Sequence, residues 1–252
     1  MSADVRIYRD RDALSREVAG AIAHRMDETL TATGYFTLSL AGGQTPRTLY
    51  RVLATQYRDT ISWSRLHLYW GDERYVPQND PRSNYRLVRE SLLDHVPIPG
   101  ENVHPIPTDF PEAEDAALAY EQMLREWFRS SWPRFDLVLL GMGPDGHTAP
   151  LFPGSPALAE RSRWVVAARA PVDPRLRLTL TPPVLNAASL VFFLVVGSEK
   201  ADVLHRVLTA ASGPVPYPAA AIRPERCAVV WWVDEHAAQC VPRSGTPTQG
   251  RR

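Results

Sequence analysis

Short apolar runs of strand length alternate with longer amphipathic stretches along nearly the whole chain, and this rhythm constrains the fold more than any other feature. The runs are residues 5–8, 35–40, 66–70, 136–140, 164–168, 190–196 and 228–233, most of them uninterrupted by charge. A strand that is apolar on both faces must be covered on both, which is the condition of a largely parallel sheet layered between helices. Residues 12–30, 46–54, 84–93, 112–128 and 199–210 supply the helices. Several carry a start or stop signal: Gly34 after the first, Pro46 behind Thr45, and Ser83 before Asn84. The expected class is α/β, a mostly parallel sheet with helices on both faces.

Composition narrows what such a sheet could serve. The chain has 252 residues, 44% of them hydrophobic, enough for a large core without covalent staples. Its 28 basic and 28 acidic side chains cancel, so the basic excess that nucleic-acid binding requires is missing. The apolar run at 190–197 is too short to span a bilayer, and the charged first ten residues do not read as a signal peptide, so no membrane role is expected. Cys227 and Cys240 have neither Cys-x-x-Cys spacing nor neighbouring paired histidines, which argues against a zinc site or a disulfide framework and fits a reducing cytoplasm. The 23 prolines gather in connectors such as 97–99, 104–107, 150–156 and 214–218. One domain over residues 1–240 is expected, with a disordered tail at 241–252.

Ligands of open α/β sheets bind beyond the carboxyl ends of strands, and four such ends carry chemistry here. In Leu40-Ala41-Gly42-Gly43-Gln44-Thr45-Pro46 a strand runs through two glycines into a helix. That arrangement either cradles an anion on free amides or is a tight turn capped by Thr45. In Trp70-Gly71-Asp72-Glu73-Arg74 an apolar strand ends abruptly in charges of both signs, which suit a polar ligand or a solvated loop. Gly141, Gly143 and Gly146 satisfy G-x-G-x-x-G after a strand. Pro150, Pro153 and Pro156 follow, however, where a dinucleotide site needs a long helix, and no ribose-binding acid ends the next strand. That loop instead presents Asp145 and His147 two residues apart, either a base with its orienting carboxylate or a structural pair. In Val196-Gly197-Ser198-Glu199-Lys200 the helix start carries the single lysine among 28 basic side chains, a compact ammonium suited to phosphate or a chance survivor.

Taken together, these segments resemble the 6-phosphogluconolactonase family, a relative of the aminosugar-6-phosphate isomerases and deaminases. The resemblance rests on Gly71-Asp72-Glu73-Arg74 with the later Ser83-Asn84-Tyr85, on Gly141-Met142-Gly143-Pro144-Asp145-Gly146-His147-Thr148-Ala149 with Leu151-Phe152-Pro153-Gly154, and on Arg177-Leu178-Thr179-Leu180-Thr181. It implies a Rossmann-like fold and hydrolysis of 6-phospho-D-glucono-1,5-lactone in the oxidative pentose phosphate pathway, with no metal or organic cofactor. It also implies His147 as general base, Asp145 and Asp72 as orienting groups, and Gly42, Gly43, Gln44, Thr45, Arg74, Arg177 and Lys200 around a phosphate. The implied partner is a small sugar phosphate, and the chain is expected as a monomer or small homo-oligomer. Ala41, Pro150 and Pro182 depart from the family's usual serine, serine and leucine. In the deaminase relatives an Asn-Glu pair follows the histidine, whereas Leu151 and Phe152 stand here. A non-catalytic sugar-phosphate sensor would keep the phosphate groups without needing His147.

Overall fold

The computed structural model describes residues 3–210, 217–224 and 228–242. Cys227, Pro214 and the expected tail from residue 243 onward lie outside them. In chain order the main elements are β1 (Asp4–Tyr8), α1 (Arg11–Thr33), β2 (Phe36–Leu40), α2 (Gln44–Gln56), β3 (Leu66–Trp70), β4 (Asp72–Arg74), α3 (Asn84–Ser91), β5 (Val103–His104), α4 (Ala113–Phe128) and β6 (Leu137–Gly141). There follow α5 (Pro156–Ala159), β7 (Val165–Arg169), β8 (Leu176–Leu180), α6 (Pro182–Ala187), β9 (Leu190–Val195), α7 (Ala201–Thr209) and β10 (Ala228–Asp234).

Seven strands form one sheet in the order β1-β10-β9-β6-β2-β3-β5, and every pairing in it is parallel. All five residues of β2 are buried, as are the last five of β9, so both faces of the central strands are covered. The fold is α/β, as the apolar runs require.

The run at 164–168 behaves differently from the others. It is a strand, β7, but it pairs antiparallel with β8, which in turn pairs antiparallel with β4, making a separate three-stranded sheet. Strand β4 is the charged Asp72-Glu73-Arg74, which reads as a loop in sequence because its burial alternates about a single buried residue, Glu73. The helix expected at 199–210 also begins differently, with a 3-10 turn at Ser198–Lys200 before α7. Helix α2 has no side-chain cap; Gly43 occupies its N-cap position and Thr45 lies inside the first turn.

Where a parallel strand stops pairing, its last N–H and C=O groups still need partners. Two buried tyrosines supply them. Tyr50, from α2, donates its hydroxyl hydrogen to Ala41 O (2.7 Å) and accepts from Ala41 N (3.1 Å). Tyr120, from α4, does the same for Trp70, accepting from its N–H at 3.0 Å and donating to its carbonyl at 3.1 Å. Each phenol fixes the residue from which a site loop departs. Tyr50→Phe leaves two buried backbone groups at Ala41 unpaired and is expected to cost about 1–3 kcal/mol in denaturant unfolding, with Tyr120→Phe similar; an unchanged midpoint for both would contradict this account.

Strands β3 and β5, at one edge of the sheet, carry a histidine pair. His67 Nδ1 and His104 Nε2 lie 3.2 Å apart, with Tyr69 stacked on His104 and Trp127 packed on His67. Burial pushes both imidazoles down, His104 to about 4 with a further push from His67. The unfolded chain therefore takes up these protons first, and stability is lost as pH falls from about 6.5 toward about 4. His104→Phe should lose less unfolding temperature than the parent between about pH 7 and pH 4.

Candidate active site

Side chains alternate across a strand, so Asp72 and Arg74 share one face of β4 while Glu73 points to the other. Glu73, 1% exposed, turns inward and caps the start of α3. Its carboxylate accepts from Asn84 N and Tyr85 N, both at 2.7 Å, and from Arg74 N at 2.7 Å. Burial, with a smaller push from Asp72, raises this carboxyl to about 7, and those three backbone donors limit the rise without cancelling it. The consequence is positional: α3 is locked to β4, which brings Asn84 against Asp72. Asn84 Nδ2 donates to Asp72 O at 3.0 Å and to Asp72 Oδ2 at 3.3 Å. Burial pushes the Asp72 carboxyl up, while Arg74, Arg177, Asn84 and His147 oppose that shift.

The antiparallel register sets Arg74 directly opposite Arg177. Two like charges across a ladder repel one another. Arg177 is buried, its Nε has no hydrogen-bond partner, and desolvation together with Arg74 lowers its affinity for its proton. Arg74 is held by one Nη1 bond to Arg82 O at 2.5 Å, and Arg82 itself is braced by Asp80 and Asp173 at 2.8 and 2.7 Å. Such a pair of guanidinium groups is a frame for an anion.

The loop after β6 folds on itself. Gly143 N donates to His147 O (2.8 Å) and Gly146 N donates to Gly143 O (3.0 Å), so the histidine ring lies back over Gly143. A Cβ at position 143 would stand 2.1 Å from His147 Cε1, and only glycine fits beneath the ring. Asp145 Oδ1 meets His147 Nδ1 at 2.5 Å and accepts from His147 N at 3.1 Å. Partial loss of water around the exposed Asp145 carboxylate works against its charge, but these contacts outweigh it and hold the carboxyl below its ordinary range. An ionised Asp145 keeps the ring proton on Nδ1, so the lone pair is on Nε2. Phe152 packs on the ring, centroids 4.4 Å apart.

The four strand ends meet in two adjoining cavities. A pocket of about 220 Å³ is lined by Gly42, Gly43, Gln44, Thr45, Asp72, Arg74, His147 and Lys200. A second, of about 450 Å³, shares Asp72, Arg74 and His147 with it and adds Asp145 and Arg177 with the apolar Phe152 and Val172. All ten residues singled out in the sequence thus border one cleft. Residues 43–46 at the start of α2 and Lys200 line the first pocket together, and the Lys200 pKa is pushed down by burial against the pull of Glu199 and Asp234. Among the described residues, no group of three or more His, Cys, Asp or Glu side chains is arranged to hold a metal ion. No described helix is long and apolar enough to cross a membrane.

Sequence reading left out Asn84, Arg82, Tyr50 and Asp234 as parts of this site. Asn84 stands in the quoted Ser83-Asn84-Tyr85 segment, yet only the fold reveals that it touches Asp72.

An α/β protein with a glycine-lined pocket carrying cationic side chains beside a histidine–aspartate pair is the class that fold and cleft define. The family of glucosamine-6-phosphate isomerases and 6-phosphogluconolactonases matches residues 9–232, and this chain belongs to it. It is 37% identical over 242 residues to a 6-phosphogluconolactonase of Synechocystis, covering 95% of this chain and 98% of the relative. It is 39% identical over 249 residues to the 6-phosphogluconolactonase of Mycobacterium tuberculosis, covering 96% of this chain and all of the relative. The solved 6-phosphogluconolactonase of Trypanosoma cruzi superposes with a TM-score of 0.87 at 29% identity, covering 96% of this chain and 98% of that one.

An anion that fills the frame is expected to stabilise the fold. Phosphate at a hundred times its Kd should add about 2.7 kcal/mol to unfolding, and Arg177→Ala should remove most of that gain; equal stabilisation of both proteins would reject the frame.

Proposed function

We propose that this chain hydrolyses 6-phospho-D-glucono-1,5-lactone to 6-phospho-D-gluconate. The observation that carries the reading is the placement of the Asp145–His147 pair beside a pocket framed by Arg74, Arg177, Lys200 and the amides before α2. The phosphate, remote from the reacting carbon, binds in the cationic frame and fixes the ring. Its dianion adds to Asp72, Glu73 and Asp173 in offsetting the repulsion between Arg74 and Arg177.

Water lies between His147 Nε2 and the lactone carbonyl. Nε2 takes a proton as the water oxygen bonds to C1, and Asp145 steadies the charged ring through Nδ1. As the tetrahedral intermediate collapses, the bond from C1 to the ring oxygen breaks and that oxygen receives the proton from Nε2. Asp72, held by Asn84, orients the attacking water or a sugar hydroxyl. None of these steps draws on a cofactor. Every group belongs to one chain, so a monomer or a small homo-oligomer serves equally, and a cytoplasmic setting is part of the proposal.

A deaminase would need a further acid besides Asp145, the glutamate of the Asn-Glu pair that follows the histidine in those relatives, to move protons between adjacent carbons. Leu151 and Phe152 hold the positions where those relatives carry Asn-Glu, and Phe152 packs on the ring.

The test is a coupled assay on freshly generated phospholactone, corrected for spontaneous hydrolysis, run beside glucosamine 6-phosphate. Acceleration of the lactone alone is expected. His147→Ala should lower kcat by about 10²–10⁴-fold while 6-phosphogluconate still binds; turnover at the parent rate would remove His147 from the mechanism. Arg177→Ala should act mainly on KM, raising it about tenfold or more.

A further inference from the structure

Lys200 lies at the end of a short turn that follows β9. Gly197 opens that turn at φ 110°, a conformation that side chains with a Cβ rarely adopt. The chain then makes one 3-10 turn, with Lys200 N donating to Gly197 O at 3.2 Å. What holds the turn comes from the neighbouring strand. Asp234, the last residue of β10 and 3% exposed, accepts from Gly197 N at 3.0 Å and from Ala237 N at 2.8 Å, both through Oδ1. Parallel pairing of β9 with β10 ends at Val195 opposite Val233, so Asp234 stands one residue past the last rung. There its side chain takes over from the backbone ladder.

We propose that Asp234 is a positioning residue for Lys200: it fixes the Gly197 turn and places a negative charge behind the ammonium that faces the phosphate pocket. This rests on the phosphate reading of the cleft given above. Other charged groups act on Lys200 or share its pocket among the described residues. Glu199 belongs to the same turn and folds back toward Gly197, Arg11 at the start of α1 acts against the ammonium, and Asp72, Arg74 and His147 line the same pocket. Burial and Arg11 favour loss of the Lys200 proton, while Glu199 and Asp234 favour its retention. An ammonium that lost its proton would still fill the space without attracting a dianion.

The geometry allows turn and charge to be separated. Both hydrogen bonds use Oδ1, so Asp234→Asn keeps them and removes only the charge, whereas Asp234→Ala removes both. The measurement is calorimetric binding of 6-phosphogluconate to full-length protein from about pH 6 to pH 10, with phospholactone turnover alongside. Asp234→Ala is expected to raise Kd and KM about tenfold with kcat within about twofold of the parent. Asp234→Asn is expected to bind nearly normally at neutral pH but to lose affinity on the alkaline side at a pH lower by about half a unit or more, because Lys200 gives up its proton earlier. In a Lys200→Ala background, Asp234→Asn should change nothing further.

An alkaline limb unmoved by Asp234→Asn, or an equal effect of that substitution with and without Lys200, overturns the proposal; should Asp234→Ala fail to fold, these two results decide it alone. Lys200→Ala that binds 6-phosphogluconate as tightly as the parent would instead overturn the phosphate reading itself.

Discussion

The carboxyl end of a parallel sheet is where its backbone hydrogen bonding stops, and this protein is organised around satisfying those last groups with side chains from elsewhere. Water could pair with them, but then each departing loop would be free to wander. Instead Tyr50 closes the end of β2, Tyr120 the end of β3, and Asp234 the turn after β9. The loop after β6 closes on its own backbone through Gly143 and His147. Four loops held in this way keep four sets of functional atoms at fixed separations, which is what binding a substrate at two points demands.

The second, antiparallel sheet adds the remaining wall. Gly71 hands the chain from β3 to β4, its N–H on Leu40 O and its carbonyl accepting from Leu180 N, both at 2.9 Å. That residue therefore ties the two sheets together at the point where Asp72 enters the cleft. Because β4 runs against β8, Arg74 and Arg177 are forced abreast. A repulsion that would weaken an ordinary ladder becomes useful when an anion is the intended guest, since the charge arrives already assembled and little reorganisation is left for binding.

Much of this was legible in the sequence, and the reason is local. A strand ending in Gly-Gly, in Asp-Glu-Arg, or in a Gly-rich loop with Asp145 and His147 announces itself within a few residues, because an apolar run cannot continue through it. The parallel sheet was legible for the same reason. What escaped was set by contacts between distant positions. Asn84 reaches Asp72 across twelve residues, Asp234 reaches Gly197 across 37, and Tyr120 reaches Trp70 across 50. A buried tyrosine with its hydroxyl on a backbone carbonyl looks, in sequence, like any other core aromatic. The antiparallel partner of residues 164–168 escaped similarly: the apolar run of β7 fits a parallel strand equally well, and only β8, with its alternation Leu-Arg-Leu-Thr-Leu, says otherwise once the pairing is seen.

Asp72 and Asp145 illustrate how one cleft assigns two carboxylates to different work. Asp145 is exposed and in contact with a histidine ring and its backbone N–H, so its negative charge is held and passes to the imidazole as orientation. Asp72 is withdrawn from water between two arginines and an asparagine, where burial raises its affinity for a proton and the cations resist that rise. A carboxylate poised in this way responds to what enters the pocket: a phosphate dianion that engages Arg74 and Arg177 weakens their hold on Asp72 and favours its protonation. On the proposed reading, in which Arg74 and Arg177 hold the phosphate, its binding and the proton affinity of Asp72 are coupled through the same two guanidinium groups.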